Sequence, residues 1–127
     1  MLAQIFPNLT CHGIESVDES STSSVVSGQV LEICQKKAAA VNLQNDYELI
    51  VVSDTMIQDP DVDVQAMGKA SDAIEAAAML HRLAGRRHRV WTATGIWHNS
   101  KWEFHLNEAI VEVDALSFLI NQYHSYI

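Results

Sequence analysis

The sequence predicts one α/β domain over residues 1–127, with a mixed β-sheet flanked by helices. Three observations support this fold class. Two segments carry apolar residues at helical spacing, one run is rich in buried β-forming residues, and two alternating segments flank a short polar turn. A chain of 127 residues with 48% hydrophobic residues also has the size and composition of a single globular domain.

The first predicted elements are a short strand, a serine-rich loop and a helix. Leu9–Ile14 is the strand candidate, and the polar segment Glu15–Ser27 is predicted to be a loop. Val26–Leu43 is predicted to be a helix, since one of its faces carries Val30, Ile33, Cys34, Lys37, Ala38 and Val41. Lys37 is the charged member of that face, so its ammonium group either extends to water or points into a polar pocket.

The next predicted elements are a buried strand and an acidic loop. Tyr47–Val52 has the composition of a strand covered on both faces, as in a parallel or mixed sheet. Asp54 is expected just past the carboxyl end of this strand, where open α/β sheets place their ligands, although a turn or capping aspartate is the alternative. Asp59–Gly68 is predicted to be a solvated acidic loop, because it lacks the twelfth-position glutamate of a calcium-binding loop.

A second helix is predicted over Asp72–Ala84. Asp72 and Glu75 form a D-x-x-E start close to a capping box, and Gly85 occupies the stop position. The small residues of its apolar stripe predict close packing against the sheet. That stripe consists of Ala73, Ala76, Ala77, Leu80, Leu83 and Ala84.

The last predicted elements are an antiparallel hairpin and a helix. His88–His98 and Lys101–Val113 are strands joined by a two-residue turn at Asn99-Ser100. Asp114–Tyr126 is predicted to be the final helix.

Composition argues against several classes of function. The net charge of −8 is the opposite of what a protein coating DNA or RNA usually carries, so we expect no nucleic acid polymer as a partner. No apolar run reaches the roughly 20 residues of a membrane span, and no signal peptide is evident at the start. The two cysteines form no disulfide framework, so the expected location is the cytoplasm, without a membrane partner.

The motifs of common catalytic classes are absent from the sequence. It contains no Walker or Rossmann glycine loop, no G-x-S-x-G elbow, no C-x-x-C pair and no zinc-type histidine spacing. What remains is a set of acids and bases at element ends: Asp18, Glu19, Lys37, Asp54 and Lys69. Carboxylates can bind magnesium and orient water, while lysines neutralise phosphate oxygens, so this set suits hydrolysis of a phosphoanhydride.

Six segments in order resemble the motifs of the Maf family. The likeness runs from Leu2 to about Tyr123 and covers a D-x-D-E loop, an E-K-A helix, an A-D-T strand, a G-K-P turn, a helix ending in M-L-x-x-L-x-G and an H-x-V-x-T strand. The matching segments are Val17–Ser20, Gln35–Ala38, Ile50–Thr55, Met67–Ala70, Ala73–Gly85 and His88–Thr92.

The resemblance implies a nucleoside triphosphate pyrophosphatase. Maf proteins cleave noncanonical or pyrimidine nucleotides between the α and β phosphates with a divalent metal, Mg²⁺ or Mn²⁺. Their fold is similar to that of the inosine triphosphate pyrophosphatases, here in a shortened form. The resemblance implies that Asp54 is the catalytic acid that binds metal or activates water, that Glu19 assists at the metal, and that Lys37 and Lys69 contact the phosphates.

The sequence also departs from the family pattern. The opening S-x-S-P-R-R loop and the closing G-x-Y-x-I-Q-G segment have no counterpart here, and Ala70 replaces the proline of the G-K-P turn. Two hypotheses therefore stand. One is a working pyrophosphatase, and the other is an inactive Maf-like domain that binds nucleotide weakly or contacts another protein. Open sheet edges usually need a partner, so we also predict a homodimer.

Overall fold

The structure, a computed structural model, describes residues 8–14, 17–43 and 47–115. Their helices and strands are, in chain order, α1 (Val26–Ala39), β1 (Ile50–Gln58), β2 (Ala66–Met67), α2 (Ala73–Leu83), β3 (Arg87–His98) and β4 (Lys101–Glu112). This confirms the α/β class. The predicted final helix lies outside the described residues beyond Ala115, and Asp114 and Ala115 belong to neither a helix nor a strand. No helix in the described ranges could cross a membrane.

The four described strands form one sheet in the order β2-β1-β3-β4. β1 and β3 pair from Ile50 opposite Trp97 to Ile57 opposite Val90, and β3 pairs with β4 along its whole length. These pairings are all antiparallel, unlike the predicted mixed sheet. The reason is that β2 and β3 run in the same direction but lie on opposite sides of β1, so they are not neighbours.

The turn between β3 and β4 confirms the predicted hairpin. Asn99 and Ser100 have φ values of 52° and 65°, and His98 pairs with Lys101 across them. Positive φ at both central residues is the geometry that matches the twist of two antiparallel strands. The hairpin therefore fixes which side chains of β3 and β4 share a face.

Helix α1 packs on one face of the sheet and forms the core there. Val30, Cys34 and Ala38 are buried against Val52 of β1 and Ala93 of β3. This confirms the predicted apolar face of the helix, which ends at Ala39 rather than Leu43. The ring of Phe104 and the side chain of Val52 occupy the space beside Gly95, where a Cβ would lie 2.8 and 2.9 Å from their nearest atoms.

The opposite face of the sheet carries both apolar and polar side chains, among them Val51 and Thr55 of β1 and Thr92 of β3. Val51 has 48% of its surface exposed, so the prediction that both faces of this strand are buried is wrong for the described structure. β1 also continues to Gln58 through residues that alternate between the two faces. On this face, opposite the one that α1 covers, the hydroxyl oxygens of Thr55 and Thr92 lie 3.1 Å apart.

Helix α2 has the predicted ends but not the predicted packing. The Asp72 side chain accepts a hydrogen bond from the Glu75 backbone N–H at 2.7 Å, and Gly85 has a φ of 70°. Of its residues only Leu83 is buried, and Leu80 of the predicted stripe is 42% exposed, so the prediction that the whole stripe is buried is wrong. Local capping fixes a helix without requiring that its apolar face be covered.

Ion pairs connect this helix and the residues after it to the residues that follow β1. Arg82 Nη2 lies 2.9 Å from Asp59 Oδ2, and Arg86 Nη1 donates to Asp61 Oδ2 at 3.1 Å. The carboxyl group of Asp59 is buried, so it is not part of a solvated loop as predicted. The predicted loop also contains β2, which pairs with Ile57 and Gln58 of β1.

The predicted strand Leu9–Ile14 is wrong. These residues adopt neither strand nor helix, and Leu9 and Ile14 are 39% and 37% exposed. A strand exists only where a neighbour pairs with its backbone groups, and no described strand lies beside this segment.

Candidate active site

Asp54 lies in the middle of β1, opposite Ala93 of β3. The prediction that it follows the end of the strand is wrong, because β1 extends four residues further to Gln58. Alternation along the strand puts Asp54 on the same face as the buried Val52, the face that α1 covers. Its side chain is 15% exposed, so the carboxylate sits at the rim of the core.

Lys37 reaches this carboxylate from the last turn of α1. Its Nζ lies 2.9 Å from Asp54 Oδ1 and 3.2 Å from the carbonyl oxygen of Ser53. The side chain is 24% exposed. Of the two alternatives for this lysine, the structure supports the polar pocket, since the ammonium group points at the sheet rather than running along the surface to water.

Glu19 lies in the loop before α1 and shares a cleft with Lys37. A cleft of about 420 Å³ is lined by Ile14, Val17, Glu19 and Lys37. The structure therefore brings three of the four predicted site residues into one region, with Lys37 contacting Asp54 and sharing a cleft with Glu19. Next to Glu19, hydrogen bonds from the backbone and hydroxyl of Ser20 lower the pKa of Asp18.

Lys69 is not part of this group. It is exposed in the segment between β2 and α2, and the described residues offer it no ion-pair partner. It does not line the cleft beside Glu19. An exposed lysine on an irregular segment can still approach a bound polyanion, because no ion pair with the described residues holds its side chain elsewhere.

Cys34 is packed beneath the site. Its thiol lies 3.9 Å from the carbonyl oxygen of Val52, and burial raises its pKa, with the negative charge of Asp54 adding to the effect. A thiol with a raised pKa is a poor nucleophile at neutral pH. Both cysteines are free, and Cys11 is exposed.

The carboxylates at this site suit a hard divalent cation that also binds substrate. The described residues contain no cluster of three or more histidine, cysteine or acidic side chains that would form an all-protein metal cage. Mg²⁺ is usually bound by one or two carboxylates together with substrate phosphates. Asp54, which contacts Lys37, and Glu19, which lines a cleft with Lys37, carry oxygen donors of that kind.

The protein-family comparison decides the family. A model of the Maf-like protein family matches residues 1–125. The chain belongs to the Maf family. This confirms the resemblance stated from the sequence motifs, and the match extends over nearly all of the 127 residues.

Three curated relatives of this Maf chain are named dTTP/UTP pyrophosphatase. The protein from Desulforamulus reducens is 29% identical over 90% of this chain and 59% of its own length. The proteins from Pyrococcus abyssi and Bacillus velezensis are 33% and 38% identical, over 80% and 56% of this chain and 52% and 36% of their own lengths. The chain thus spans about half the length of the curated relatives it matches.

A second cleft of about 310 Å³ lies at the other end of α1 in this Maf chain. Gln58, Arg89 and Trp91 are among its lining residues, and Trp91 Nε1 donates to Gln58 Oε1 at 2.8 Å. None of the four predicted site residues lines it.

The contacts between α1 and the loop over residues 17–22, which carries Glu19, were not predicted from the sequence. Lys36 forms an ion pair with Asp18, and Glu32 accepts hydrogen bonds from Ser21 and Thr22. Complementary charges offer a signal for the first contact, since Asp18-Glu19 faces Lys36-Lys37. Sequence spacing alone does not show that a loop folds back on a helix.

Proposed function

We propose that this Maf domain hydrolyses nucleoside triphosphates to monophosphate and pyrophosphate. The observation that carries the proposal is the contact between Lys37 and Asp54 beside the cleft that Glu19 lines. A partly buried acid–base pair next to a second carboxylate suits a phosphorylated substrate. The relatives' names make dTTP and UTP the first substrates to test.

The proposed reaction adds water to the α-phosphorus of the nucleotide. A new P–O bond forms to the water oxygen, and the bond from the α-phosphorus to the bridging oxygen breaks, so that pyrophosphate leaves with both electrons of that bond. Asp54 accepts the proton that the water loses and later releases it to solvent. Its position on a central strand of the described sheet gives this carboxylate a fixed orientation.

Lysines in this mechanism neutralise charge. Lys37 lies beside Asp54 and exchanges part of that contact for a phosphate oxygen when substrate enters the cleft. Lys69 reaches the β or γ phosphate from the segment before α2. Such contacts are effective because the transferred group carries its negative charge on oxygen atoms that point outward.

Asp54 and Glu19 would hold a divalent metal, Mg²⁺ or Mn²⁺. When bound, the metal supplies charge stabilisation for the phosphate oxygens and lowers the pKa of a coordinated water. The protein's own part is to present two carboxylates from different elements, one on a strand in contact with Lys37 and one on a loop that shares a cleft with Lys37.

The test is pyrophosphate release from dTTP, UTP and noncanonical triphosphates with Mg²⁺ or Mn²⁺. Asp54→Asn should lower kcat by at least about a hundredfold, the usual contribution of a general base. Glu103→Gln is the matched control, because it neutralises an exposed carboxylate on β4, on the face away from α1. Equal turnover by wild type and Asp54→Asn would contradict the proposal.

The second candidate function is an inactive Maf domain that binds nucleotide or a protein. One observation favours it, namely the position of Lys69 outside the cleft that Glu19 and Lys37 line. It predicts nucleotide binding without pyrophosphate release. Calorimetric titration with a non-hydrolysable triphosphate beside the turnover assay distinguishes it from the first candidate.

We also propose that the domain forms a homodimer and acts in the cytoplasm. β4 is one of the two edge strands of the described sheet, and its Ile110 is 62% exposed, which supports a partner at this edge. Two free cysteines and a nucleotide substrate support the location. Sedimentation equilibrium tests the dimer, and a monomer across the micromolar range would contradict it.

A further inference from the structure

Two opposite charges on α1 contact the loop that carries Glu19. Glu32 and Lys36 are four residues apart, so their side chains project from the same side of the helix. Each contacts the loop over residues 17–22 rather than extending into solvent. The two residues therefore form one attachment surface for that loop.

Lys36 contacts the loop on both sides of Glu19. Its Nζ donates to the carbonyl oxygen of Ser20 at 2.6 Å and to Asp18 Oδ2 at 3.4 Å. Asp18 also accepts from the Ser20 backbone N–H at 2.9 Å, which closes a tight turn around Glu19. The ammonium group thus fixes the residues immediately before and after the carboxylate of interest.

Glu32 contacts the following part of the loop. Its carboxylate accepts a hydrogen bond from the Ser21 hydroxyl, and one from the Thr22 backbone N–H at 3.1 Å. The Thr22 hydroxyl lies a further 3.4 Å from the other carboxylate oxygen. Glu32 and Lys36 together hydrogen-bond to Asp18, Ser20, Ser21 and Thr22. Among the described contacts of this part of the loop, none involves the side chain of Glu19.

Glu19 is left to face the cleft with Lys37, the residue directly after Lys36. We propose that Lys36 and Glu32 are positioning residues that hold Glu19 beside the Lys37–Asp54 pair, so that both carboxylates can bind one divalent cation. This inference rests on the proposed function. Lys36 and Glu32 then fix the geometry of the loop that carries Glu19 but take no part in the chemistry.

The test compares Lys36→Met with Lys36→Arg, which keeps the charge and hydrogen-bond donors. Lys101→Met is the matched control, because it removes the same charge from the start of β4. The first measurement is amide hydrogen exchange without metal or nucleotide, at the Ser20 and Thr22 N–H groups. The Glu75 N–H serves as an internal reference, since it too donates to an exposed carboxylate.

The second measurement is calorimetric titration with Mn²⁺. In Lys36→Met we expect faster exchange at Ser20 and Thr22 and a Kd for Mn²⁺ raised at least about tenfold, as is typical when a contact that orients a metal ligand is lost. Lys36→Arg should restore both values, and Lys101→Met should match wild type. Exchange at Glu75 should be the same in every variant.

Unchanged exchange in Lys36→Met would overturn the inference, and so would faster exchange with an unchanged Kd for Mn²⁺. Either result can occur while the wild-type chain binds Mn²⁺ and turns over nucleotide, which would leave the proposed function intact. Failure of the proposed function has a different signature. It would appear as absent turnover and absent Mn²⁺ binding in the wild-type chain itself, and that result would remove the metal-positioning role as well.

Discussion

Lys37 Nζ lies 2.9 Å from Asp54 Oδ1, so one ion pair joins the last turn of α1 to the middle of β1. The two residues are 17 positions apart in the sequence, and their side chains are 24% and 15% exposed. Both side chains are buried enough that removing either one leaves the other as a poorly solvated charge. The pair is also open enough for a ligand to reach it.

Removing one partner of this pair should cost stability. Exposed ion pairs contribute about 0–1 kcal/mol and breaking a buried pair costs about 3–5 kcal/mol, so Lys37→Met should lower the free energy of unfolding by about 2 kcal/mol. Urea denaturation of Lys37→Met, Asp54→Asn and the double variant gives the coupling free energy between the two side chains. Additive effects would show that the two side chains do not interact in solution.

Lys69→Met should separate substrate binding from stability. Lys69 is exposed and has no ion-pair partner among the described residues, so its loss should leave the unfolding free energy within about 0.5 kcal/mol of wild type. Losing a charged hydrogen bond to phosphate should raise KM about tenfold. Steady-state kinetics provides the measurement, with Lys101→Met as the control for charge, and an unchanged KM would remove Lys69 from the site.

His88 should make stability depend on pH. It is buried, its Nδ1 has no hydrogen-bond partner in the described part of the chain, and burial lowers its pKa. The unfolded chain therefore binds a proton at higher pH than the folded chain does. Stability should fall as pH drops through the ordinary histidine pKa of about 6.5, and the loss should level off below the lowered pKa of the folded state.

Urea denaturation between pH 8 and pH 5 measures this dependence. His88→Leu should remove its contribution, at most about 1.4 kcal/mol per pH unit, and should also remove the unpaired nitrogen. His105→Leu, at an exposed position on β4, is the control. Equal pH profiles for wild type and His88→Leu would show that this imidazole does not govern acid sensitivity.

Gly95→Ala should destabilise the contact between sheet and helix. An added Cβ would lie 2.8 Å from the Phe104 ring and 2.9 Å from a methyl group of Val52, both at the core. Overpacking of this kind costs about 1–3 kcal/mol. Thermal unfolding measures the loss, and Gly13→Ala, with nothing within 4 Å of its added Cβ, should leave the Tm nearly unchanged.

Elements set by local pattern were predictable from the sequence. The apolar spacing of α1, the caps of α2 and the turn at Asn99-Ser100 depend on neighbouring residues only, and the structure confirms all three. The family likeness followed from ordered motifs. Lys37 was recognisable as a charge on an apolar face.

Features set by distant contacts were not predictable in the same way. The strand prediction stopped where polar residues began, yet β1 continues because Asp54 meets Lys37 on one face and Thr55 meets Thr92 on the other. The apolar stripe of α2 shows which side of the helix is hydrophobic but not whether anything covers it. The strand predicted at Leu9–Ile14 failed because pairing depends on a neighbour that the local sequence does not specify.

Attachment of α2 to the sheet has a consequence for the behaviour of the protein in concentrated electrolyte. Arg82 and Arg86 connect this region to Asp59 and Asp61 by ion pairs, while α1 is held by apolar burial. Dissolved ions screen the attraction between exposed charges that are more than about 8 Å apart at 0.15 M and about 3 Å apart at 1 M, but they screen buried pairs much less and do not weaken apolar packing. High ionic strength should therefore weaken the exposed pair of Arg86 and Asp61 more than the pair of Arg82 with the buried Asp59, while the apolar packing of α1 stays in place.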